Sequence, residues 1–358
     1  MCFTELTPYY IYNMYKSIIR PIIFFLLNGE QAHNLTVKLL KGVHCIPGMG
    51  WLFRSIFCYK NPKLEREVFG IKFKNPVGLA AGFDKNGNCY NELSSLGFSF
   101  VEIGSITPTP QPGNPKPRCF RLPKDGAIIN RFGINNNGVK YTVEYIKKHH
   151  PKCIIGASLS KCTASSNEDA PKDIEKSFAI LYDFVDYFAL NVSCPNVKNL
   201  CKLQDIGFLS EIIDRLLTLR RYYDDYRPIL LKVSPDIPQE QLDEIIDLVL
   251  VSGLDGVIAT NTTQSREGLK TSKEDVEAIG NGGLSGAPLF ERSLERVRYI
   301  HQKTEGQLPI IAVGGIMSPE QAHQMLQAGA SLVQIYSGFI YNGPGFVKDI
   351  NKYLAKNL

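Results

Sequence analysis

Several common signatures are missing from this chain of 358 residues. Near the N-terminus the longest unbroken apolar run is Ile22 to Leu27, far short of the ~20 residues that a membrane-spanning helix needs. Neither a small-residue cleavage site of the secretory kind nor an Arg/Ser-rich transit peptide is visible. The nine cysteines form no CxxC pair and no zinc-ligand spacing. An odd count without a leader suits free thiols in a reducing compartment rather than a disulfide framework. The six histidines (33, 44, 149, 150, 301, 323) are scattered, which argues against a metal site or a Ser-His-Asp triad. There is no GxGxxG after a strand and no Walker lysine, so nicotinamide and nucleoside-triphosphate readings lack support. Internal repeats and low-complexity segments are also lacking.

Net charge is absent from most of the chain. Residues 64–358 carry 33 basic and 33 acidic side chains, while residues 1–63 carry seven Lys/Arg against Glu5 and Glu30, the whole formal excess of +5. That asymmetry points to an anionic surface, and with no nucleic-acid motif beside it a membrane is the better candidate. Residues 12–28 and 30–43 read as helices separated by Gly29. Ala32, Leu35, Leu39 and Val43 form one apolar face of the second, with Lys38 and Lys41 opposite. Trp51, Leu52, Phe53, Ile56 and Phe57 read as a further exposed apolar cluster. Such a pair could simply cap the rest of the protein, or its apolar faces could also dip into lipid.

From residue 77 short apolar runs alternate with amphipathic segments. Strands are predicted at 77–81, 100–104, 153–157, 187–192, 229–233, 256–260, 310–313 and 332–335, with helices such as 206–221, 239–251, 319–327 and 345–355 between or after them. Eight such units in ~280 residues predict an α/β fold, a (β/α)8 TIM barrel with a small N-terminal helical cap. The division expected is a cap at 1–63 and a barrel at 64–358. A doubly wound sheet is the alternative, but the polar clusters follow the strands, where barrels keep their functional residues. Residues 107–125 hold six prolines and read as an extended excursion or hairpin.

The clusters are specific in chemistry. Asn191-Val192-Ser193-Cys194-Pro195-Asn196 sets a thiol between amides at a strand end, where the thiolate can act as base or nucleophile. Ala80-Ala81-Gly82-Phe83-Asp84-Lys85 offers close backbone approach and a positive charge, though a tight turn explains it equally. Gly104-Ser105 supplies a hydroxyl. Asn130-Arg131-Phe132-Gly133-Ile134-Asn135-Asn136-Asn137-Gly138 is dense in amides and also compatible with a plain turn-rich loop. Lys232 lies within a strand and should point into the barrel mouth, where an unpaired ammonium is costly; an anion such as the reduced edge of a flavin suits it. Thr260-Asn261-Thr262 adds hydrogen-bonding groups. Glycine-rich elements at 282–286, 313–316 and 336–338 converge on the usual phosphate site of such barrels.

In order, these motifs resemble the flavin-dependent dihydroorotate dehydrogenases over about residues 65–355. AAGFDKNG at 80–87, EIGSITPTPQPGNPKPR at 102–118, NRFGINNNG at 130–138, LKVSPD at 231–236 and ATNTT at 259–263 carry the resemblance, with GGLSG at 282–286 and IAVGGI at 311–316. The helical N-terminus with Gly29-Glu30-Gln31-Ala32-His33 resembles the membrane-associated, quinone-using class 2 enzymes. The resemblance implies oxidation of dihydroorotate to orotate in pyrimidine synthesis, with FMN as cofactor and a membrane quinone as acceptor. It implies FMN contacts from Ala81, Gly82, Ser105, Ser158, Asn191, Lys232, Thr260, Gly286, Gly315, Tyr336 and Ser337. Substrate contacts are implied for Lys85, Asn130, Arg131, Phe132, Gly133, Ile134, Asn191, Asn196, Asn261 and Thr262, and quinone contacts for His33, Arg121 and Tyr336. Two departures stand out. Class 2 enzymes use Ser as the base, whereas Cys194 is the class 1 choice, with Ser193 the alternative base here. Ser158 also stands where the family has a flavin-contacting Asn. A peripheral place on the cytoplasmic side of a cell membrane is expected, or the mitochondrial inner membrane in a eukaryote. The rival readings are a flavin barrel of the tRNA dihydrouridine synthase kind, disfavoured by the balanced charge, and a barrel that binds a phosphorylated ligand without turnover.

Overall fold

A computed structural model describes residues 14–192 and 205–358. Eight parallel strands close into a barrel in chain order: Val77–Leu79, Phe100–Ile106, Ile154–Leu159, Tyr187–Leu190, Ile229–Val233, Gly256–Ala259, Ile310–Val313 and Leu332–Ile335, the last pairing back onto the first. Each lies where the hydrophobic pattern predicts a strand; three coincide with the expected range and the ends of the others shift by one or two residues. Helices such as Ile206–Arg220, Gln239–Ser252, Pro319–Gln327 and Phe346–Asn357 accompany the strands.

Alternation along each strand sends one set of side chains outward to the helices and the other into the barrel. Val101, Phe188, Leu231 and Val333 pack in the outer core. Phe100, Tyr187, Ala189, Leu230, Ile258, Ile311 and Leu332 fill the interior. Large rings fit there because glycines face them: a Cβ on Gly78 would stand 2.2 Å from the Phe100 ring, and one on Gly156 2.0 Å from the Tyr187 ring. A short hairpin, Arg66–Val68 with Ile71–Phe73, closes the bottom, with Phe73 edge-on to Phe100 at 5.2 Å.

The proline-rich excursion does contain a hairpin strand. Cys119–Leu122 pairs antiparallel with Ala127–Asn130, and Gly283–Gly286 adds a third strand on the other side. The sequence reading of 282–286 as only a glycine-rich loop missed that strand.

The N-terminal segment departs from the predicted pair of helices. A wide π-type turn, Tyr15–Ile19, runs into a helix at Arg20–Leu26. The break falls at Leu27-Asn28, because Asn28 and Gln31 form a reciprocal capping box that starts the helix Gly29–His44. Gly29 is therefore inside the helix, where a Cβ would meet the Cys119 sulfur at 2.7 Å. Of the face expected to be apolar, Leu35 and Leu39 are exposed, and the barrel packs instead against Val37 and Leu40. In the next helix, Met49–Phe57, the apolar cluster divides, with Phe53, Ile56 and Phe57 inward and Trp51 and Leu52 outward. Tyr15 donates to the Ile340 carbonyl at 2.6 Å and Arg20 to that of Tyr341 at 2.9 Å, tying the cap to the barrel.

Gly156→Ala should lower stability by about 1–3 kcal/mol through overpacking against Tyr187. Thermal unfolding measures this, and an unchanged midpoint would mean that the interior can shift to accommodate a methyl group.

Candidate active site

A cleft opens at the C-terminal ends of the barrel strands, where barrels keep their functional sites. Strand parity explains much of its lining. Phe100, Tyr187 and Leu230 point inward, so Glu102, Ala189 and Lys232 two residues on do likewise, and Asn191 follows at the rim. The end of the second strand adds Ser105, and the turns after the strands add Ala81, Gly82, Lys85, Thr260, Asn261 and Thr262. The three-stranded sheet brings Asn130, Phe132, Gly133, Ile134 and Gly286 across the top, and the last two turns contribute Gly315, Tyr336 and Ser337.

The amides form one connected set. Asn191 donates to the Ser105 hydroxyl at 2.7 Å, and Asn261 donates to the Asn191 carbonyl oxygen at 3.2 Å. The Ser105 and Ser158 hydroxyls are 2.8 Å apart. Ser158 is fully buried, bracing Ser105 from behind rather than lining the cleft. Cys194 and Asn196 lie outside the described residues.

Lys232 faces an anion already supplied by the protein. Its ammonium is 3.7 Å from the Glu102 carboxylate, and both side chains are buried. The second Glu102 oxygen accepts from Gln334 at 2.7 Å and from the Tyr187 hydroxyl at 3.2 Å. Glu102 and Gln334 were missed in the sequence, although the inward parity that singles out Lys232 applies equally to them.

Arg131 turns away from the cleft. Its guanidinium donates to the Ile279 carbonyl and lies 4.6 Å from the Phe120 ring centre. His33 and Tyr336 flank Phe83, at ring separations of 4.8 and 5.7 Å. Burial, then the charge of Lys85, pushes the His33 imidazole down to about 3, so it is neutral at ordinary pH. Arg121 donates to the Leu27 and Phe24 carbonyls and lies 4.2 Å from the Phe24 ring centre. Phe83, the ring between His33 and Tyr336, was another omission; its place in the AAGFDKNG segment was the available signal.

The lining suits a flat phosphorylated cofactor such as FMN. Gly286 and Gly315 have φ of +102° and +70°, and a Cβ on either would stand 2.3–2.4 Å from backbone atoms. Nothing larger than glycine fits these two positions beside the neighbouring backbone, and both glycines line the cleft with no side chain. Ser285 and Ser337 add hydroxyls 2.9 Å apart. The buried side-chain oxygen of Gln334, at the cleft wall, has no hydrogen-bond partner among the described residues, an acceptor that a bound ring N–H could satisfy.

Comparison with known proteins agrees with this geometry. The sequence profile of the dihydroorotate dehydrogenase family matches residues 63–358. A dihydroorotate dehydrogenase (quinone) of Christiangramia forsetii is 51% identical, the alignment covering 96% of this chain and 100% of the relative. One from Coxiella burnetii is 44% identical, over 94% and 96% of the two chains. The crystal structure of DHODH from Eimeria tenella in complex with ferulenol superposes with a TM-score of 0.81 at 33% identity, covering 94% of this chain and 93% of that one. The chain belongs to the dihydroorotate dehydrogenase family.

Proposed function

We propose that the cleft holds dihydroorotate beside FMN and that residues 1–63 serve the quinone and the membrane. The activity follows from the family: the chain oxidises dihydroorotate to orotate with a quinone as electron acceptor, and FMN is its cofactor. The observation that supports this use of the cleft is the meeting of Lys85, Asn130, Asn191 and Asn261 with Lys232 and the glycine cradle in one space. When bound, FMN supplies the acceptor for the hydride that leaves dihydroorotate.

The protein's own part is binding and proton removal. Lys85 offers its ammonium to the substrate carboxylate, and the amides of Asn130, Asn191, Asn196 and Asn261 hold the ring polar groups. Phe132, Gly133, Ile134 and Thr262 complete the wall. Ser105, Asn191, Thr260, Gly286, Gly315, Tyr336 and Ser337, with Ala81 and Gly82, border the cofactor. Cys194 is the base that takes the substrate's proton; a thiol of pKa ~8.5 needs less help to ionise than a serine hydroxyl. Lys232, held by Glu102, presents positive charge where negative charge accumulates. The guanidinium of Arg131 points elsewhere and its backbone is bonded to Arg118 and Asn114, so it is left out of the substrate wall.

The cap reading rests on charge and exposure. Ile22, Phe25, Leu26, Leu39, Ile46 and Trp51 are all more than half exposed, on a segment that carries the chain's whole net charge. No helix among the described residues is long and apolar enough to cross a membrane. The cap lies on the cytoplasmic face of the membrane as a peripheral element, and the quinone head group reaches the cleft beside His33, Phe83 and Tyr336, with Arg121 at the cap junction.

Two experiments test this reading. In Cys194→Ala, reduction of the bound flavin by dihydroorotate should slow by about 10²-fold or more while FMN stays bound; stopped-flow absorbance measures it, and unchanged kinetics remove Cys194 from the mechanism. Phe25→Glu combined with Trp51→Glu should reduce sedimentation with anionic vesicles and raise the KM for a long-chain quinone. Flavin reduction by dihydroorotate should be unaffected, and vesicle binding equal to wild type would reject the membrane role.

A further inference from the structure

We propose that the cap helix Gly29–His44 is also part of the substrate site: Glu30, acting through Arg118 and Phe132, is a positioning residue for Lys85, the lysine that meets the substrate carboxylate. This rests on the reading of the cleft given above.

A second cavity, open to solvent on one side, lies behind the cleft. Glu30, His33, Lys38 and Lys41 of the cap helix line it, and so do Lys85 and Phe132, which line the substrate cleft as well. The cap is thus the back wall of the substrate lysine.

The contacts run in an unbroken series. Lys85 donates to the Gly82 carbonyl at 2.6 Å and lies 3.9 Å from the Phe132 ring centre. The same ring has the Arg118 guanidinium at 5.5 Å. Arg118, itself buried, grips Glu30 with two donors, Nη2 at 2.8 Å from Oε1 and Nε at 3.1 Å from Oε2, and it also donates to the Pro112 and Asn114 carbonyls. Two cations therefore share one aromatic ring, and the cap supplies the carboxylate that offsets them.

Neither close partner of Lys85 carries a formal negative charge, and burial pushes its ammonium down to about 8. Of the groups facing it, Cys119, Glu30 and Asp84 favour the charged form and Arg118 opposes it. The neighbouring His33 is neutral at working pH, and Lys38 and Lys41 stand across the cavity. A carboxylate ligand needs the ammonium, so its affinity falls as pH rises through the lysine's titration. Removing negative charge at Glu30 moves that fall to lower pH; removing positive charge at Arg118 moves it to higher pH.

The test is orotate binding to the FMN-loaded enzyme, read from the flavin spectrum across neutral and alkaline pH. This equilibrium involves no proton abstraction, so it is independent of the catalytic base. For Glu30→Gln, which keeps an acceptor for Arg118, the midpoint of the alkaline loss should fall by about half a pH unit or more. On the alkaline limb that is about threefold weaker binding than wild type. Arg118→Met should shift the midpoint the opposite way. Structural loosening would weaken binding at every pH, or move both variants in the same direction, and either result overturns the proposal. Should Arg118→Met fail to fold, an unshifted midpoint in Glu30→Gln is sufficient to overturn it. A wild-type enzyme that does not bind orotate would instead sink the reading of the cleft itself, and the proposal with it.

Discussion

The ion pair between Lys232 and Glu102 is the constraint around which the site is built. Both groups are buried inside a closed barrel, where the desolvation cost of an isolated charge is several kcal/mol. The pair persists because the carboxylate also accepts from Gln334 and Tyr187. Those partners come from other strands, so satisfying one lysine enlists four of the eight. Tyr187 in turn needs the space left by Gly156. The barrel floor is thus polar at its top layer and tightly packed below it, and a cofactor laid on it meets a fixed positive charge.

The cap is joined to this centre by electrostatics as well as packing. Its capping box aims the first turn of Gly29–His44 at the barrel, the close contact of Gly29 with Cys119 lets it approach, and Glu30 closes on Arg118. The turn that carries Glu30 also carries His33, which lies against Phe83. One helical turn therefore faces both Phe83 and the back of Lys85. Glu30 keeps its charge to lower pH than an ordinary glutamate: burial alone would raise its carboxyl, but the bonds and charge of Arg118 win and hold it below the usual range. The clamp weakens only as pH falls through that lowered value.

The barrel strands were legible because each is a short apolar run bounded by polar turn residues, and local pattern suffices for that. The cleft lining was legible because barrels open their clefts after their strands, so Lys85, Asn191, Asn261 and Gly315 could be named in advance, and Asn130 came from the amide-rich segment beyond the proline-rich stretch. Where the reading went astray, the deciding contact was distant in sequence. Whether the Leu35 and Leu39 face packs or stays open is decided only once the barrel sits against Val37 and Leu40. Gly283–Gly286 looks like a loop until Ala127–Asn130 pairs with it. Arg131 belongs to an amide-rich segment yet turns to carbonyls near residue 280.

By itself, then, the sequence determined the repeating β/α architecture, the charge asymmetry of the N-terminus and the chemical types gathered for the site, because each depends on neighbours within a few residues. Only the tertiary structure decided which charges meet. Glu102 neutralises Lys232 across 130 residues of chain, Glu30 reaches Arg118 across 88, and Ser158 braces Ser105 instead of facing the cleft. Such pairings follow from barrel closure and cap docking, which set the distance and the desolvation of each group, and neither quantity is written in local sequence.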